Sequence, residues 1–267
     1  MTLKSKKATA ATKESASTAV ERALAILEAV SQRDGGMTNS EISRKLAIPK
    51  STASYILRTL ETHGYLRRDQ ANKYRLGLRV VSLSHRALRG LDITDVAMPV
   101  LRSLAERYNI TAHLAILDQG EVVYIEKADA PGFIKMDTWV GRRLPVHSTS
   151  VGKVLVAHLP DEEIKAIIKE RGLRKITPKT ITTVHEFLRE LERVRARGFA
   201  VDDEENNLGV RCVAAPIFNR LGRVEAALGV SGTTAQMERS AISKLAGVLM
   251  ESARRISQQL GYLSVTR

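Results

Sequence analysis

The chain has 267 residues, with 42 Lys and Arg against 29 Asp and Glu, 43% apolar and 27% charged side chains, and a formal net charge of +13. That composition fits an ordinary globular protein, neither disordered nor fibrous, and the length suits one large or two modest domains. A single cysteine, Cys212, excludes an internal disulfide and any paired-Cys zinc or redox motif. No apolar run is long enough to span a bilayer. Residues 1–17 lack the apolar stretch of a secretory signal, so a cytoplasmic protein is expected.

The charge is unevenly placed. The Lys-rich segment 1–17, read as a basic flexible tail, carries net +3, and residues 18–80 carry net +5, as much as the remaining 187 residues together. Such an excess points either to a polyanion partner or to a solubilising surface, and the pattern inside 18–80 decides between them. Thr18-Ala19-Val20-Glu21 has the form of a capping box, in which hydroxyl and carboxylate each satisfy a backbone N–H. Val20, Leu24, Leu27 and Val30 then recur at helical spacing, and Asp34-Gly35-Gly36 ends that helix. A second box, Thr38-Asn39-Ser40-Glu41, opens a short helix with Ile42 and Leu46 inward. Ala47-Ile48-Pro49 makes a tight connection, and a third helix runs from about Lys50 to His63, with Ala53, Ile56, Leu57 and Leu60 buried.

The outer face of the third helix keeps Lys50, Ser51, Thr52, Ser54, Tyr55 and Arg58, short hydroxyls and long cations near a helix N-terminus. Such a surface can approach a phosphate backbone and offer hydrogen bonds to base edges. Tyr65–Arg68 and Lys73–Leu76 read as a hairpin decorated by Arg67, Arg68, Lys73 and Arg75. Three helices and a basic hairpin make a winged helix-turn-helix over 18–77. Its third helix is expected at the major groove, with Thr38 at the preceding helix start, and its wing on phosphate or the minor groove. The competing reading is a helical protein-docking module with a solvated basic face.

A linker helix is expected over 78–91, and a second domain over 92–267. It opens with a helix that contains Pro99, which would kink it or delay its start. The period then changes to two: 110–118, 121–128 and 133–138 read as strands. Helices follow at 150–159, 161–171 and 183–197, strands at 199–202, 210–218 and 224–231, and a final helix at 235–260. The fold class is therefore α+β: a winged helix, then an α/β layer on an antiparallel sheet.

In this order the residues resemble the IclR family of bacterial transcription regulators over nearly the whole chain. The N-terminal likeness lies in Val20-Glu21-Arg22-Ala23-Leu24, Leu46–Thr52, Leu60–Leu66 and Tyr74–Gly77. The C-terminal likeness lies in Leu144-Pro145-Val146-His147-Ser148-Thr149-Ser150-Val151-Gly152-Lys153, Arg197-Gly198-Phe199, Glu204-Glu205 and Gly209–Pro216. The resemblance implies a GAF-like effector domain, homodimers that can pair into tetramers, and operator binding, more often repressing, modulated by a small metabolite. Carried over from acid-binding members, the pocket comprises the backbone of Ser148, Thr149, Ser150, Val151 and Gly152, with polar groups from Asp202, Cys212 and Ser231. The N–H groups opening the 150–159 helix suit a carboxylate. Gly229 stands where acid-binding members carry a serine, Ser150 where alanine is usual, and Tyr55 where an arginine is common.

The expected function is thus a sequence-specific DNA-binding regulator, not an enzyme, with no cofactor, a two-fold duplex operator and a small, carboxylate-bearing effector. One alternative is a constitutive DNA-binding protein whose second domain serves assembly. Another is a ligand-processing enzyme with a docking module. The enzyme reading would need Cys212 paired with His113, His147 or His158, yet a lone buried cysteine is more often an apolar filler. His113, His147, His185 and Asp202 match no recognised metal-ligand spacing. Arg142-Arg143 either guides an anion toward the pocket or forms a surface turn before Pro145.

Overall fold

The structure is a computed structural model that describes residues 4–88, 92–132 and 135–262; the side chains of 4–17 and 85–92 lie outside that description. The chain divides into two compact units, 1–90 and 91–267.

The first unit consists of α1 (Lys4–Ser31), α2 (Asn39–Leu46), α3 (Lys50–Thr62), β1 (Leu66–Arg68), β2 (Tyr74–Leu76) and α4 (Leu78–Leu88). Helix α1 starts at Lys4, so the Thr18–Glu21 sequence lies inside it and not at its start, and residues 4–17 are helical. That segment holds no Gly or Pro and is rich in Ala and Lys, good helix formers. The buried stripe of α1 also differs from the expected one. Ala23, Ile26, Leu27 and Val30 face the core, while Val20 and Leu24 are 60% and 56% exposed. Two overlapping sets of residues satisfy the three-and-four spacing, and packing against α3 and β2 selects the second.

The second box is formed. The Thr38 hydroxyl accepts from the Glu41 N–H at 3.3 Å and the Glu41 carboxylate accepts from the Thr38 N–H at 2.8 Å. Helix α2 ends in left-handed Ala47, and α3 follows directly from Pro49. Ala53, Ile56 and Leu57 of α3 meet Ile26, Ile42, Leu66 and Tyr74 in one core. In the wing, Arg67 lies opposite Arg75, and Met37 exchanges backbone hydrogen bonds with Tyr74. Helix α4 shows exposed Leu78, Val81 and Leu83; the last three linker positions, 89–91, lie outside the described residues.

The second unit begins with α5 (Asp92–Tyr108), which contains Pro99 and starts about two turns before it. A six-stranded antiparallel sheet follows, in the order β5-β4-β3-β8-β7-β6. Its strands are β3 (Thr111–Asp118), β4 (Glu121–Ala128), β5 (Arg143–Leu144), β6 (Ala200–Asp203), β7 (Val210–Phe218) and β8 (Val224–Thr233). Between β5 and β6 run α6 (Ser150–Ala157), α7 (Asp161–Arg171) and α8 (Val184–Arg197), and α9 (Ile242–Gln259) closes the unit after a single 3-10 turn, Arg239–Ala241. Helices α5 and α9 pack together on one face of the sheet; α6, backed by α8, covers the other.

The third expected strand is corrected. Residues 135–138 form no strand, and the sheet gains β5 instead. Met136 and Thr138 alternate as a strand would, but their carbonyls bond to a side chain, Lys127 Nζ, at 3.2 and 2.7 Å. The final helix starts at Ile242, not 235, because Thr233 and Gln236 bond to each other in a turn and Arg211 binds the Met237 carbonyl.

Candidate DNA-binding surface and effector cavity

On α3 the outward residues are those expected: Lys50, Ser51, Ser54, Tyr55 and Arg58 are exposed, and Thr52 is half-buried. The amide of Asn39 on α2 donates to Ser54 Oγ at 3.1 Å and reaches the Lys50 carbonyl at 3.5 Å, fixing the angle between the two helices. Asn39 Oδ1 is buried without a partner. Sequence reasoning missed this residue, because its role depends on α3 lying across it. Thr38 is occupied by its box, which leaves it a structural part at the base of this surface.

In the wing, Arg67 and Arg68 are exposed, and Arg68 lies over the Tyr74 ring at 5.3 Å. Lys73 is half-buried. Arg75 is engaged internally: it donates to Asp69 Oδ2 at 3.1 Å and to the Asp34 carbonyl at 2.8 Å. Asp69 also accepts from the Ala71 and Lys73 N–H groups, and these hydrogen bonds hold its carboxyl below the usual range. Asp69 thus shapes the hairpin tip, and Arg75 braces it against the end of α1.

The second unit holds a cavity of about 330 Å³ between the sheet, the start of α6 and the segment 135–142. Thr149, Ser150 and Val151 line it, as do Asp202, Cys212 and Ser231 from three neighbouring strands. Pairing across the ladder sets the latter three side by side: Asp202 lies opposite Cys212, and Cys212 opposite Ser231. Ser148 and Gly152 are not on its wall. The Ser148 hydroxyl donates to Asn206 at 3.0 Å, and Gly152 packs so closely that a Cβ there would lie 2.5 Å from the Val146 backbone. Thr149 caps α6 by accepting from the Gly152 N–H. The first helical N–H groups, those of Ser150 and Val151, have no intrahelical acceptor, and both residues line the cavity, so the electropositive end of α6 lies at its wall.

Other walls were not read from the sequence. His113 and Tyr124 contribute from β3 and β4, and Asn206 and Asn207 from the loop after β6. Segment 135–142 adds Lys135, Asp137, Thr138 and Arg142. Of this segment, the sequence marks only Arg142, within the Arg142-Arg143 pair, as an anion guide or a surface turn. Arg142 faces the cavity, while Arg143 pairs with Asp118 and Glu121 at the surface. Gly229 explains the width of one side: a Cβ there would lie 2.6 Å from Val151 Cγ1, so Val151 fills the space a larger residue would take.

The titratable groups around the cavity are strongly shifted. Burial pushes the Asp202 carboxyl up to about 7, although its Oδ1 accepts from the Glu205 and Asn206 N–H groups at 2.7 and 3.3 Å. Behind it, Lys153, only 1% exposed, pairs with Glu205 and donates to the Val201 carbonyl at 2.9 Å. Burial and adjacent Asp202 push the Cys212 thiol well above its ordinary range, which keeps it protonated and slow to react while the cavity is closed. His147 is buried away from the cavity, with Nε2 on the Arg174 carbonyl at 3.0 Å. Among the described residues no three His, Cys, Asp or Glu side chains converge as a metal site would need, and no helix is long and apolar enough to cross a membrane.

A basic helix-turn-helix unit with an exposed recognition helix, joined to a domain with a polar cavity headed by a helix N-terminus, defines a ligand-responsive DNA-binding regulator. Known proteins agree. Residues 19–70 match the IclR helix-turn-helix domain, and residues 85–258 match the bacterial transcriptional regulator IclR C-terminal domain. The chain belongs to the IclR family and is a DNA-binding transcription regulator with a C-terminal effector-binding domain.

It is 37% identical over 244 residues to the HTH-type transcriptional regulator XynR of Escherichia coli K12, covering 91% of this chain and 97% of that protein. It is 32% identical over 244 residues to the HTH-type transcriptional repressor AllR of the same strain, covering 91% and 90%. An IclR homolog from Microbacterium hydrocarbonoxydans, solved in complex with 4-hydroxybenzoate, superposes with a TM-score of 0.79 at 28% identity, covering 91% of this chain and 98% of that one.

Proposed function

We propose that this regulator is a cytoplasmic repressor, without enzymatic activity, that binds a two-fold duplex operator as a homodimer and is released by a small carboxylate in the second unit. The observation that carries this reading is an exposed α3 surface in one unit and, in the other, a polar cavity lined by Ser150 and Val151 at the N-terminus of α6. The exposed apolar residues Val20 and Leu24 on α1, and Leu78 and Val81 on α4, are surface that pairing of first units would bury. AllR's designation as a repressor and the 4-hydroxybenzoate bound by the Microbacterium homolog support the direction of control and a carboxylate effector. Pairing of dimers into tetramers is part of the same proposal.

Lys50, Ser51, Thr52, Ser54, Tyr55 and Arg58 approach the major groove, and Arg67, Arg68 and Lys73 approach phosphate. Arg75 acts through the wing's shape. The test begins with duplexes selected from random DNA. Arg58→Ala is expected to weaken the selected site by about 1–3 kcal/mol and to relax preference at one base pair. Arg67→Ala should weaken all sequences alike and reduce the salt slope by about one. Equal affinity and unchanged preference for Arg58→Ala would remove that residue from readout.

The ligand arm is a thermal-melt panel of small carboxylates, aromatic acids and sugar acids. A compound at about 100 times its Kd should add roughly 2.7 kcal/mol, several degrees for this domain, and the same compound should lower operator affinity. A compound that binds without changing operator affinity would favour the second reading, a constitutive regulator with an assembly domain.

A further inference from the structure

Segment 135–142 forms one wall of the cavity without belonging to the sheet. Its backbone groups therefore need partners from elsewhere. At its far end, Tyr124 supplies them: its N–H donates to the Arg142 carbonyl at 3.1 Å and its carbonyl accepts from the Gly141 N–H at 2.7 Å. At its near end the partner is the Lys127 side chain on β4. The ammonium donates to the carbonyls of Met136 and Thr138 at 3.2 and 2.7 Å and pairs with Asp129 at 2.8 Å, which uses all three of its donors. The side chain is only 15% exposed. Beside it, His113, 1% exposed and stacked on Tyr124 at 4.3 Å, meets the Thr138 hydroxyl at 2.8 Å through Nε2.

We propose that Lys127, seconded by His113, is the positioning residue of the effector site: it clamps the 135–142 strap over the cavity, so the strap can present Lys135, Asp137 and Arg142 to a ligand. Two carbonyls two residues apart, held by one cation, fix the strap's turn without any strand pairing. That sets which side chains face inward. Arg142 is then held by its own bond to the Asp137 carbonyl and by lying over Trp139 at 4.8 Å. The His113 ring is kept neutral, its pKa pushed down to about 3 by burial and then by the Lys127 charge, so this contact does not change across the working pH range. The clamp rests on the cavity being the effector site, but its test needs no effector, so the two ideas can fail separately.

Cys212 is the chain's sole cysteine and lines the cavity, which makes it a built-in reporter of the strap. The full-length protein would be labelled with a small neutral maleimide at fixed pH, comparing wild type, Lys127→Met, Lys127→Arg and Thr138→Ala. Losing charge-assisted hydrogen bonds favours local opening, so Lys127→Met is expected to label about tenfold faster or more. Hydrogen exchange at Gly141 should rise in step, while the β3–β8 amides stay protected. Lys127→Arg keeps the cation and should return most of the protection. Thr138→Ala lies on the strap itself, cannot unfold the sheet, and should speed labelling about threefold through loss of one hydrogen bond. Labelling of both Lys127→Met and Thr138→Ala within twofold of wild type would overturn the clamp. So would faster labelling accompanied by lost β3–β8 protection in Lys127→Met and a wild-type rate in Thr138→Ala, which would make Lys127 merely structural.

Discussion

Lys153→Met is expected to destabilise the second unit by about 3–5 kcal/mol, because it leaves the Glu205 carboxylate buried without its cation. Lys153 is 1% and Glu205 12% exposed, and Glu205 Oε2 has no partner even with the lysine present. The Val201 carbonyl also loses its donor, at the strand that carries Asp202. Urea unfolding of the full chain, followed through the second unit's transition, measures the loss. The loss should shrink as pH falls through the raised value of the stranded Glu205 carboxyl, which burial already pushes up and which then takes up a proton. The double variant Lys153→Met, Glu205→Gln should recover most of the stability, since it removes the charge and not only its partner. A loss below about 1 kcal/mol in the single variant would mean that the pair is solvated in solution and contributes little.

Asp202→Asn should act in the opposite direction and make the protein more stable at pH 8. Burial raises the Asp202 carboxyl from 3.8 to about 7. Below about pH 4 it is protonated in folded and unfolded chains alike and has no effect. Between about 4 and 7 the unfolded chain releases the proton while the folded chain keeps it, so stability falls as pH rises. Above about 7 the buried ion costs its full amount, at most about 4 kcal/mol. Asparagine keeps an oxygen for the Glu205 and Asn206 N–H groups and carries no charge. A gain of about 2–4 kcal/mol at pH 8, fading toward pH 4, is expected from parallel denaturation curves. Equal stability at both pH values would show that the carboxylate is not desolvated. The expected gain would mark Asp202 as a group kept for the cavity at the expense of the fold, a pattern common where binding needs a poised polar group.

The first unit was legible because its signals are local. The Thr38–Glu41 box, the Pro49 junction and the hydroxyl-rich face of α3 lie within 25 residues of one another, and each has a near-neighbour explanation. Where local reasoning failed, two local patterns competed. Thr18–Glu21 has the letters of a helix start, but the alanine-rich residues before it continue the helix. Val20 and Leu24 have the spacing of a core face, but the core takes Ala23 and Ile26.

The cavity was half legible. The run Thr149–Val151 and the strand residues Asp202, Cys212 and Ser231 came through the family resemblance and line the cavity as expected. His113 and Tyr124 did not. Their stacking depends on the pairing of β3 with β4, whose register shifts between Leu114 and Ala115, and strand alternation does not reveal a bulge. The strap was misread as a strand because its backbone partner is the Lys127 ammonium, and a solitary lysine in a sequence carries no sign of which carbonyls it will bind.

The pairing of β3 with β8 has a consequence for the order in which the molecule acquires its abilities. Thr111 lies opposite Ser231, so the sheet beneath the cavity joins residues 120 positions apart in the chain. The winged helix, by contrast, is closed by contacts within residues 18–77. Chains emerge from the ribosome N-terminus first and domains fold as units, with distant pairings forming slowly. A nascent molecule therefore completes its DNA-reading unit well before β8 arrives to finish the sensor. Each newly made chain passes through an interval in which its helix-turn-helix unit is folded and its sensor cavity is not.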